Sequence, residues 1–409
     1  VYSEGMTPEN EYRSHNFNTK VNFTVLDNIK IEASAKLTNQ HIENQSASGF
    51  LWNPLTGAYL FPRGEDWDHY KNNYEIYNEV KQYGEQEWYR DVNNDFSQNP
   101  YWILNRVRSQ ESRNRILVSA SARYDFTDYL FLQGRLSYDR INDRWARTVH
   151  ATTSQVLANP NGEYQEENYM MRTFYGDIML NFNKTFGDHS LSAMGLFSMT
   201  SSDRMYSQVG RTSADATSIM TGTKWYNMYT GTIFEKDPKD SGIGTGTAYW
   251  EETMMSYALR LNYSYKGKYM FTGTVRTDGS SKFLKDSRWG WFPSAALAWR
   301  ISEEDFMKNI SWIDNLKLRL SYGVTGNNTV CGHYNSVGVS GPNIYAFGSV
   351  VANGYYPSGV INADLKWEKS YETNFGIDYG FLNNRINGSI DLYSKTSKDL
   401  LYERYLPLV

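Results

Sequence analysis

From Asn16 to Val25 the chain alternates strictly. Phe17, Thr19, Val21, Phe23 and Val25 share one face, and Asn16, Asn18, Lys20, Asn22 and Thr24 share the other. After Leu26-Asp27-Asn28 the first face resumes with Ile29, Ile31, Ala33, Ala35 and Leu37, opposed by Lys30, Glu32, Ser34, Lys36 and Thr38. A period of two is that of a strand with one apolar and one polar side. Six such pairs are predicted, at about 16–25 with 29–38, 115–124 with 129–139, 174–184 with 189–199, 256–265 with 269–278, 291–300 with 316–325, and 372–379 with 385–393. Joints within a pair are short. Joints between pairs are long, at about 40–113, 140–173, 200–254, 279–290 and 326–370. Two-faced strands of about ten residues, with tight turns at one end and long loops at the other, predict an all-β fold, an antiparallel transmembrane β-barrel.

Aromatic residues support that reading. Tyr124 and Tyr129, Phe182 and Phe186, Tyr265 and Tyr269, Trp299 and Trp312, and Tyr379 gather where strands meet the short turns. At a membrane boundary such rings keep an apolar body in lipid and a polar edge in water. Rim packing in a soluble sheet would explain one such position, but recurrence at nearly every short turn favours the membrane girdle. A propeller would show a repeat of about 40 residues, and none is found. The joint in the fifth pair reads as helical: Ser302 and Asp305 resemble a capping box, and Phe306 and Ile310 lie four apart. Of the ten prolines only Pro293 falls in a predicted strand, near its start.

Composition alone reads differently. Mean hydropathy is −0.62, and no stretch approaches the roughly 18 apolar residues of a membrane helix. A barrel escapes that test, because its polar lumen face and long loops dilute the lipid-facing residues. The 33 Tyr, 12 Trp and 19 Phe in 409 residues are many for a soluble chain. Net charge is −4, from 41 Lys plus Arg against 45 Asp plus Glu, so nothing asks for nucleic acid. The sole cysteine, Cys331, excludes an intrachain disulfide. The sequence opens at Val1 without a charged n-region or apolar h-region, as expected of a fragment or a processed chain.

Little here looks catalytic. The six histidines lack metal-ligand spacing, and no Gly-x-Ser-x-Gly elbow occurs. Gly242, Gly244 and Gly246 read as a flexible loop rather than a phosphate cradle. Asp91-Val92-Asn93-Asn94-Asp95 opens like a calcium loop, but Phe96 and Trp102 stand at its sixth and twelfth positions, where Gly and Glu are required. No catalytic residue, metal or cofactor is expected. The polar strand face carries both signs of charge: Lys20, Lys30, Glu32, Lys36, Arg123, Arg135, Asp139, Asp177, Arg260, Arg276, Lys317, Arg319, Glu372, Asp378 and Asp391. Lumen solvation with pairing between strands accounts for most of these. The candidate ligand-binding residues are aromatic pairs in the long joints, Trp67 with Tyr70, Trp88 with Tyr89, Trp225 with Tyr226 and Tyr355 with Tyr356, whose flat rings suit sugar faces or peptide side chains. Packing of loop on loop competes with that reading at each pair.

Longer motifs add specific wording. Arg276-Thr277-Asp278-Gly279-Ser280-Ser281-Lys282-Phe283 is followed by Arg288-Trp289-Gly290-Trp291-Phe292-Pro293-Ser294, then by Trp299-Arg300-Ile301-Ser302-Glu303-Glu304 and by Leu316 through Asn327. This series resembles the SusC/RagA-type TonB-dependent outer-membrane transporters of Bacteroidetes. Asn99-Pro100-Tyr101-Trp102, Arg113-Asn114-Arg115 and Tyr124-Asp125-Phe126-Thr127-Asp128 resemble an earlier part of that barrel, and Leu365-Lys366-Trp367-Glu368 with Glu372-Thr373-Asn374-Phe375-Gly376 a later one. The resemblance implies that residues 1–409 supply about 12 strands of a single barrel domain of roughly 22, the plug domain lying outside this chain and the long joints being extracellular. It implies residence in the outer membrane and uptake of large nutrients, usually oligosaccharides and sometimes peptides. The implied partners are a SusD-like lipoprotein over the mouth, the TonB-ExbB-ExbD complex acting through the plug, and outer-membrane lipid. Asp278-Gly279-Ser280-Ser281 is expected at the extracellular end of the fourth pair, with Gly279 in a tight turn and a structural role. A lidless siderophore or vitamin receptor, a peptide importer, a barrel enzyme and an adhesin are the alternatives. The motif wording argues against the lidless receptor, and no Ser/His/acid set can be assembled for an enzyme.

Overall fold

The computed structural model describes residues 1–213, 234–235, 246–329, 332–333, 340–357 and 362–402, apart from positions 82, 93, 159–160 and 349, and 363. Strands β1 (Tyr2–Glu4), β2 (Glu11–Leu26) and β3 (Ile29–Glu43) open the chain. Helices α1 (Pro54–Leu60) and α2 (Trp67–Asn72), the hairpin β4 (Glu75–Asn78) and β5 (Tyr83–Gln86), and α3 (Pro100–Arg106) fill the first long joint. Strands β6 (Val107–Thr127), β7 (Leu130–Val149), β8 (Glu163–Phe186), β9 (His189–Ser213), β10 (Phe234–Glu235), β11 (Gly246–Tyr265), β12 (Tyr269–Ser280), β13 (Trp289–Arg300) and β14 (Ile313–Asn327) follow. The hairpin β15 (Ser340–Phe347) and β16 (Val350–Pro357) precedes β17 (Glu368–Phe381) and β18 (Ile386–Lys398).

One sheet dominates, in the order β1-β2-β3-β6-β7-β8-β9-β11-β12-β13-β14-β17-β18, with β10 added on β9. Every described pairing is antiparallel, and each strand of the path neighbours the next strand of the path. All twelve strands of the six predicted pairs are present. The short joints are turns, such as Lys266-Gly267-Lys268 with positive φ at Lys266 and Gly267. The sheet is open, with β1 and β18 at its edges. An edge in hydrocarbon would leave unsatisfied backbone groups at several kcal/mol each, so a lipid-embedded sheet of this kind has to be part of a closed wall.

Register places like with like. Tyr263 opposes Phe271, Phe271 opposes Leu297, Leu297 opposes Leu320, Leu320 opposes Phe375 and Phe375 opposes Leu392, giving one apolar row across six strands. This row is open to its surroundings, with Leu297 at 55% and Leu392 at 67% exposure. A contiguous apolar face of this extent has no place on a soluble monomer. It fits the lipid-facing band of a barrel, about 25 Å tall.

Rings ladder across the short-turn end as predicted. Tyr265, Tyr269 and Trp299 stack in series at 6.4 Å between centroids. Tyr129 meets Phe182 at 5.6 Å, and Trp312 meets Phe381 at 5.5 Å.

Three local expectations need correction. The fifth-pair joint is helical only as two 3₁₀ turns, Ile301–Glu303 and Asp305–Met307, and neither has a side-chain cap, so the Ser302/Asp305 capping box does not form. Glu304 instead accepts hydrogen bonds from the Tyr269 hydroxyl at 2.7 Å and Trp299 Nε1 at 3.0 Å, tying the joint to the ring ladder. Gly279 lies within β12, opposite Trp289, not in a tight turn. Its missing side chain matters for packing: a Cβ there would come within 2.9 Å of the Trp289 ring. Pro293 is the fifth residue of β13 rather than near its start, and pairing with β14 begins just after it, at Ser294.

Several strands outrun the sequence pattern. β8 has 24 residues and β9 has 25. On β8 the apolar face of Phe174, Ile178, Leu180 and Phe182 gives way toward the long-joint end to Arg172, Asn168 and Glu166, while pairing to β9 continues. Buried apolar side chains are correspondingly few. Trp88, Trp102, Ile103, Val149, Ala151, Ala158 and Tyr164 lie in the first two long joints, Phe283, Phe292, Val324 and Trp367 form a cluster, and Ala258 alone sits in the banded stretch.

Candidate ligand face at the long-joint end

The first long joint folds back onto the sheet as a small assembly of its own. Asn99 caps α3, its Oδ1 accepting from Tyr101 N at 2.9 Å, with Pro100 filling the next position, where no N–H is needed. The same side chain donates to the carbonyls of Tyr70 and Glu87, each at 2.9 Å. Gln86 Nε2 donates to Gln98 Oε1 at 2.6 Å, and Gln98 Oε1 also accepts from Ser154 N at 3.3 Å. Trp102, fully buried, donates from Nε1 to Thr153 Oγ1 at 3.0 Å and meets the His150 ring edge-on at 5.2 Å. The chain after β7 is thereby locked to the chain before β6. Burial holds the His150 imidazole below the ordinary histidine pKa.

Four of the predicted aromatic residues come together here. Phe61 is the hub: Trp67 lies at 5.0 Å, Tyr70 at 5.9 Å, and Trp88 and Tyr89 each at 5.4 Å. Trp88 is 7% exposed, and its Nε1 is buried without a hydrogen-bond partner. Tyr89 donates its hydroxyl to Leu60 O at 2.9 Å. Tyr70 donates to Glu65 at 3.4 Å, and desolvation, reinforced by that carboxylate, raises its phenol pKa. Trp67 and Tyr70 remain half-buried, so the group offers ring edges at its surface over a packed interior. Tyr355 stands on the separate hairpin β15–β16 at 79% exposure, and the side chain of Tyr356 lies outside the described residues. Trp225, Tyr226, Cys331, Gly242, Gly244 and Asn93 also lie outside them, while Gly246 begins β11.

The polar strand face is a set of ion pairs within and between strands. Arg135 Nη2 reaches Asp177 at 2.7 Å, Arg115 reaches Asp139 at 2.6 Å, Lys20 reaches Glu32 at 2.9 Å, and Arg319 bridges Asp378 at 2.8 Å and Asp391 at 3.1 Å. Lys30 and Arg123 share Asp125, Arg276 pairs with Asp278, and Arg260 donates to Thr274 at 3.2 Å. Most of the charges predicted for this face are therefore neutralised in place. What remains is a wet, electrically balanced wall, suited to lining a conduit rather than to steering one sign of charge.

The long sequence motifs build the second buried group. Phe283 and Phe292 pack on Trp367 at 5.5 and 5.4 Å, and Trp367 Nε1 donates to Arg288 O at 2.9 Å. Buried Ser280 accepts from Asn328 at 3.0 Å. Gly290 and Gly326 lie so close to the Phe292 ring that neither position has room for a Cβ. The geometry of Asp278-Gly279-Ser280-Ser281 is thus that of a brace for the strand ends.

Trp52, Trp145 and Arg147 also stand at this end, with no motif in the sequence to mark them. Trp145 and Arg147 alternate on the polar side of β7, in the stretch taken for loop, and no period-two contrast marks them. Among the described residues no group of three His, Cys, Asp or Glu converges to hold a metal. Asp91 of the rejected calcium loop instead accepts from Asn94 at 2.8 Å.

Comparison with known proteins agrees with this architecture. The TonB dependent receptor-like, beta-barrel family matches residues 52–408. TonB-dependent receptor P39 of Formosa agariphila is 37% identical over 243 residues, 58% of this chain and 22% of that protein. TonB-dependent receptor SusC of Bacteroides thetaiotaomicron is 42% identical over 180 residues, 43% of this chain and 18% of that protein. The solved RagAB peptide importer in its open-open state superposes with a TM-score of 0.77 at 20% identity, over 99% of this chain and 42% of that one. The closed form of the ferric-catecholate import receptor Fiu of E. coli K12 gives 0.52 at 9% identity, over 97% of this chain and 53% of that one. The chain thus spans about a fifth of the length of the two curated relatives, and its sheet is one stretch of a larger barrel wall.

Proposed function

The chain belongs to the TonB-dependent receptor β-barrel family, an outer-membrane family, and from that premise we propose that the protein imports large nutrients, foremost oligosaccharides, across the outer membrane. The wall described above is the conduit. Its apolar face lies in lipid, its ion-paired face lines the water-filled path, and the folded long joints form the extracellular rim. A SusD-like lipoprotein closes over that rim, and the TonB-ExbB-ExbD complex opens the path by acting on a plug that this chain does not include. Residues Trp67, Tyr70, Trp88, Tyr89 and Tyr355 take part in the rim, the first four as one aromatic body. No step of bond making or breaking is assigned to the protein.

The observation that carries the proposal is the two-sided sheet: an exposed apolar row on one face, neutralised charge on the other, and folded loop structure gathered at one end. The resemblance to SusC/RagA-type transporters, which implies uptake of oligosaccharides first, favours a glycan ligand. A peptide ligand is the second reading, favoured by the likeness in fold to a peptide importer. The test is a pull-down of the full-length protein from outer membranes, with growth of a deletion strain on defined glycans or on peptides. A stoichiometric surface lipoprotein and a growth defect confined to one glycan are expected. Co-purification of no lipoprotein, with defective uptake of a small iron chelate, would move the protein to the lidless receptors.

A further inference from the structure

A cavity of about 360 Å³ lies between the chain after β3, the start of β6 and the end of β7, on the polar side of the sheet. Its wall includes Trp52, Trp145, Arg147, Glu111 and Ser109. Ser109 and Glu111 oppose Arg147 and Trp145 across the β6–β7 ladder, so the four form a patch two residues wide and two strands deep. We propose that this cavity is a subsite for one unit of a neutral saccharide passing through the rim. The proposal deepens the import reading and rests on it.

Four features carry the assignment. First, Arg147 is held unlike four other arginines of this sheet face. Arg113, Arg115, Arg135 and Arg276 each reach a carboxylate within 2.8 Å. Arg147 has its nearest carboxylate, Glu163, at 3.9 Å, and its one described hydrogen bond goes to Gln165 at 3.2 Å. Its guanidinium lies instead over Trp52 at 4.5 Å and near Trp145 at 5.6 Å, and its Nε is buried without an acceptor. A guanidinium fixed by ring faces keeps donor capacity for a ligand.

Second, Trp52 has φ of +60°, a conformation that a bulky residue adopts only under constraint from its surroundings. The constraint sets its indole against Arg147. Third, the backbone at this wall is already satisfied. Asn44 N donates to Ser109 O at 2.8 Å, and Ser109 N donates to Asn44 Oδ1 at 3.2 Å. A peptide recognised by strand addition needs free backbone groups, and here side chains have to do the recognition. Fourth, charge is balanced, with one cation, Arg147, and one carboxylate, Glu111, in the lining. A donor and an acceptor beside flat rings match vicinal hydroxyls and the apolar face of a sugar ring, whereas an anionic sugar would meet the Glu111 carboxylate.

The test uses the full-length transporter purified in detergent. Titration calorimetry is run against neutral oligosaccharides from α-glucan, β-fructan and xylan, against oligogalacturonate, and against mixed oligopeptides. One neutral series is expected to bind. Glu111→Gln and Arg147→Lys should each weaken it about tenfold, the order expected for losing a charged hydrogen-bond partner, with unchanged melting temperature. Trp145→Phe, which keeps an aromatic ring, is the variant to read if either of those fails to fold, and it should weaken binding as well. Unchanged affinity in the folded variants would overturn the subsite while leaving saccharide import intact. Tighter binding of oligogalacturonate would overturn the charge argument. Binding of peptides and of no saccharide would overturn both the subsite and the import reading.

Discussion

The banded stretch of the sheet and the folded long joints place their apolar residues in opposite ways. In the band, large apolar side chains such as Leu259, Leu297 and Leu392 are more than half exposed, and charge is paired on the other face. In the long joints Trp102, Val149 and Ala151 are fully buried, around hydrogen bonds that Asn99 and Thr153 donate and Gln98 accepts. The difference lies in the solvent. A strand in lipid gains by presenting apolar groups outward, and a loop in water gains by hiding them. One chain therefore obeys two rules, and the boundary between them falls partway along β8, where Phe174 gives way to Arg172.

Substitutions can break each side of that contrast. The largest effect is expected at Trp102→Ala, which removes a fully buried indole and leaves Thr153 Oγ1 without its donor. A loss of about 3–5 kcal/mol in the rim assembly is expected, read as rapid proteolysis within 44–106 while the barrel keeps its heat-modifiable migration. Leu259→Arg should cost about 2–4 kcal/mol of barrel stability, because it places a charge in the lipid band; urea unfolding in vesicles measures it, and Arg260→Gln beside it should change little.

Asp177→Asn is expected to cost about 1–3 kcal/mol. Asp177 is buried, pairs with Arg135 at 2.7 Å and accepts from the Tyr175 hydroxyl at 2.6 Å. Asp391→Asn should cost less, since Arg319 keeps Asp378.

The smallest effect is that of pH on His150. Its folded pKa is below the reference value of 6.5, because burial disfavours the imidazolium. The unfolded rim therefore takes up a proton first as pH falls, and stability present above about pH 6.5 declines below it. The hydrogen-exchange protection factors at residues 150–154, which correct for the slower intrinsic exchange at lower pH, should fall between pH 7 and pH 5, and a His150→Gln variant should lose that fall.

The same contrast explains what could be read from sequence. Strand alternation is legible wherever one face meets lipid and the other water, and all twelve of those strands are found where the period of two predicts them. Beyond the band both faces are wet, the contrast vanishes, and the outer halves of β8 and β9 read as loop although their ladders continue. Trp145 and Arg147 were lost for the same reason. The clustering of Trp67, Tyr70, Trp88 and Tyr89 could be suspected from their aromatic doublets, but not their common hub at Phe61, which depends on how α1, α2 and the β4–β5 hairpin fold together. Gly279 was misplaced because a glycine beside Asp and Ser carries the signature of a turn. Its actual role, room for the Trp289 ring, depends on a cross-strand neighbour ten residues away.

The most direct test of this account is spin-label accessibility along β11, with single cysteines placed in turn from Tyr257 to Ser264 in a cysteine-free full-length protein in bilayers. Oxygen partitions into lipid, and a nickel chelate stays in water. The account predicts a strict period of two, with oxygen-accessible labels at 257, 259, 261 and 263 and nickel-accessible labels at 258, 260, 262 and 264. Nickel accessibility at Leu259 and Leu261 equal to that at Arg260 would contradict it, because the apolar row would then face water and not lipid.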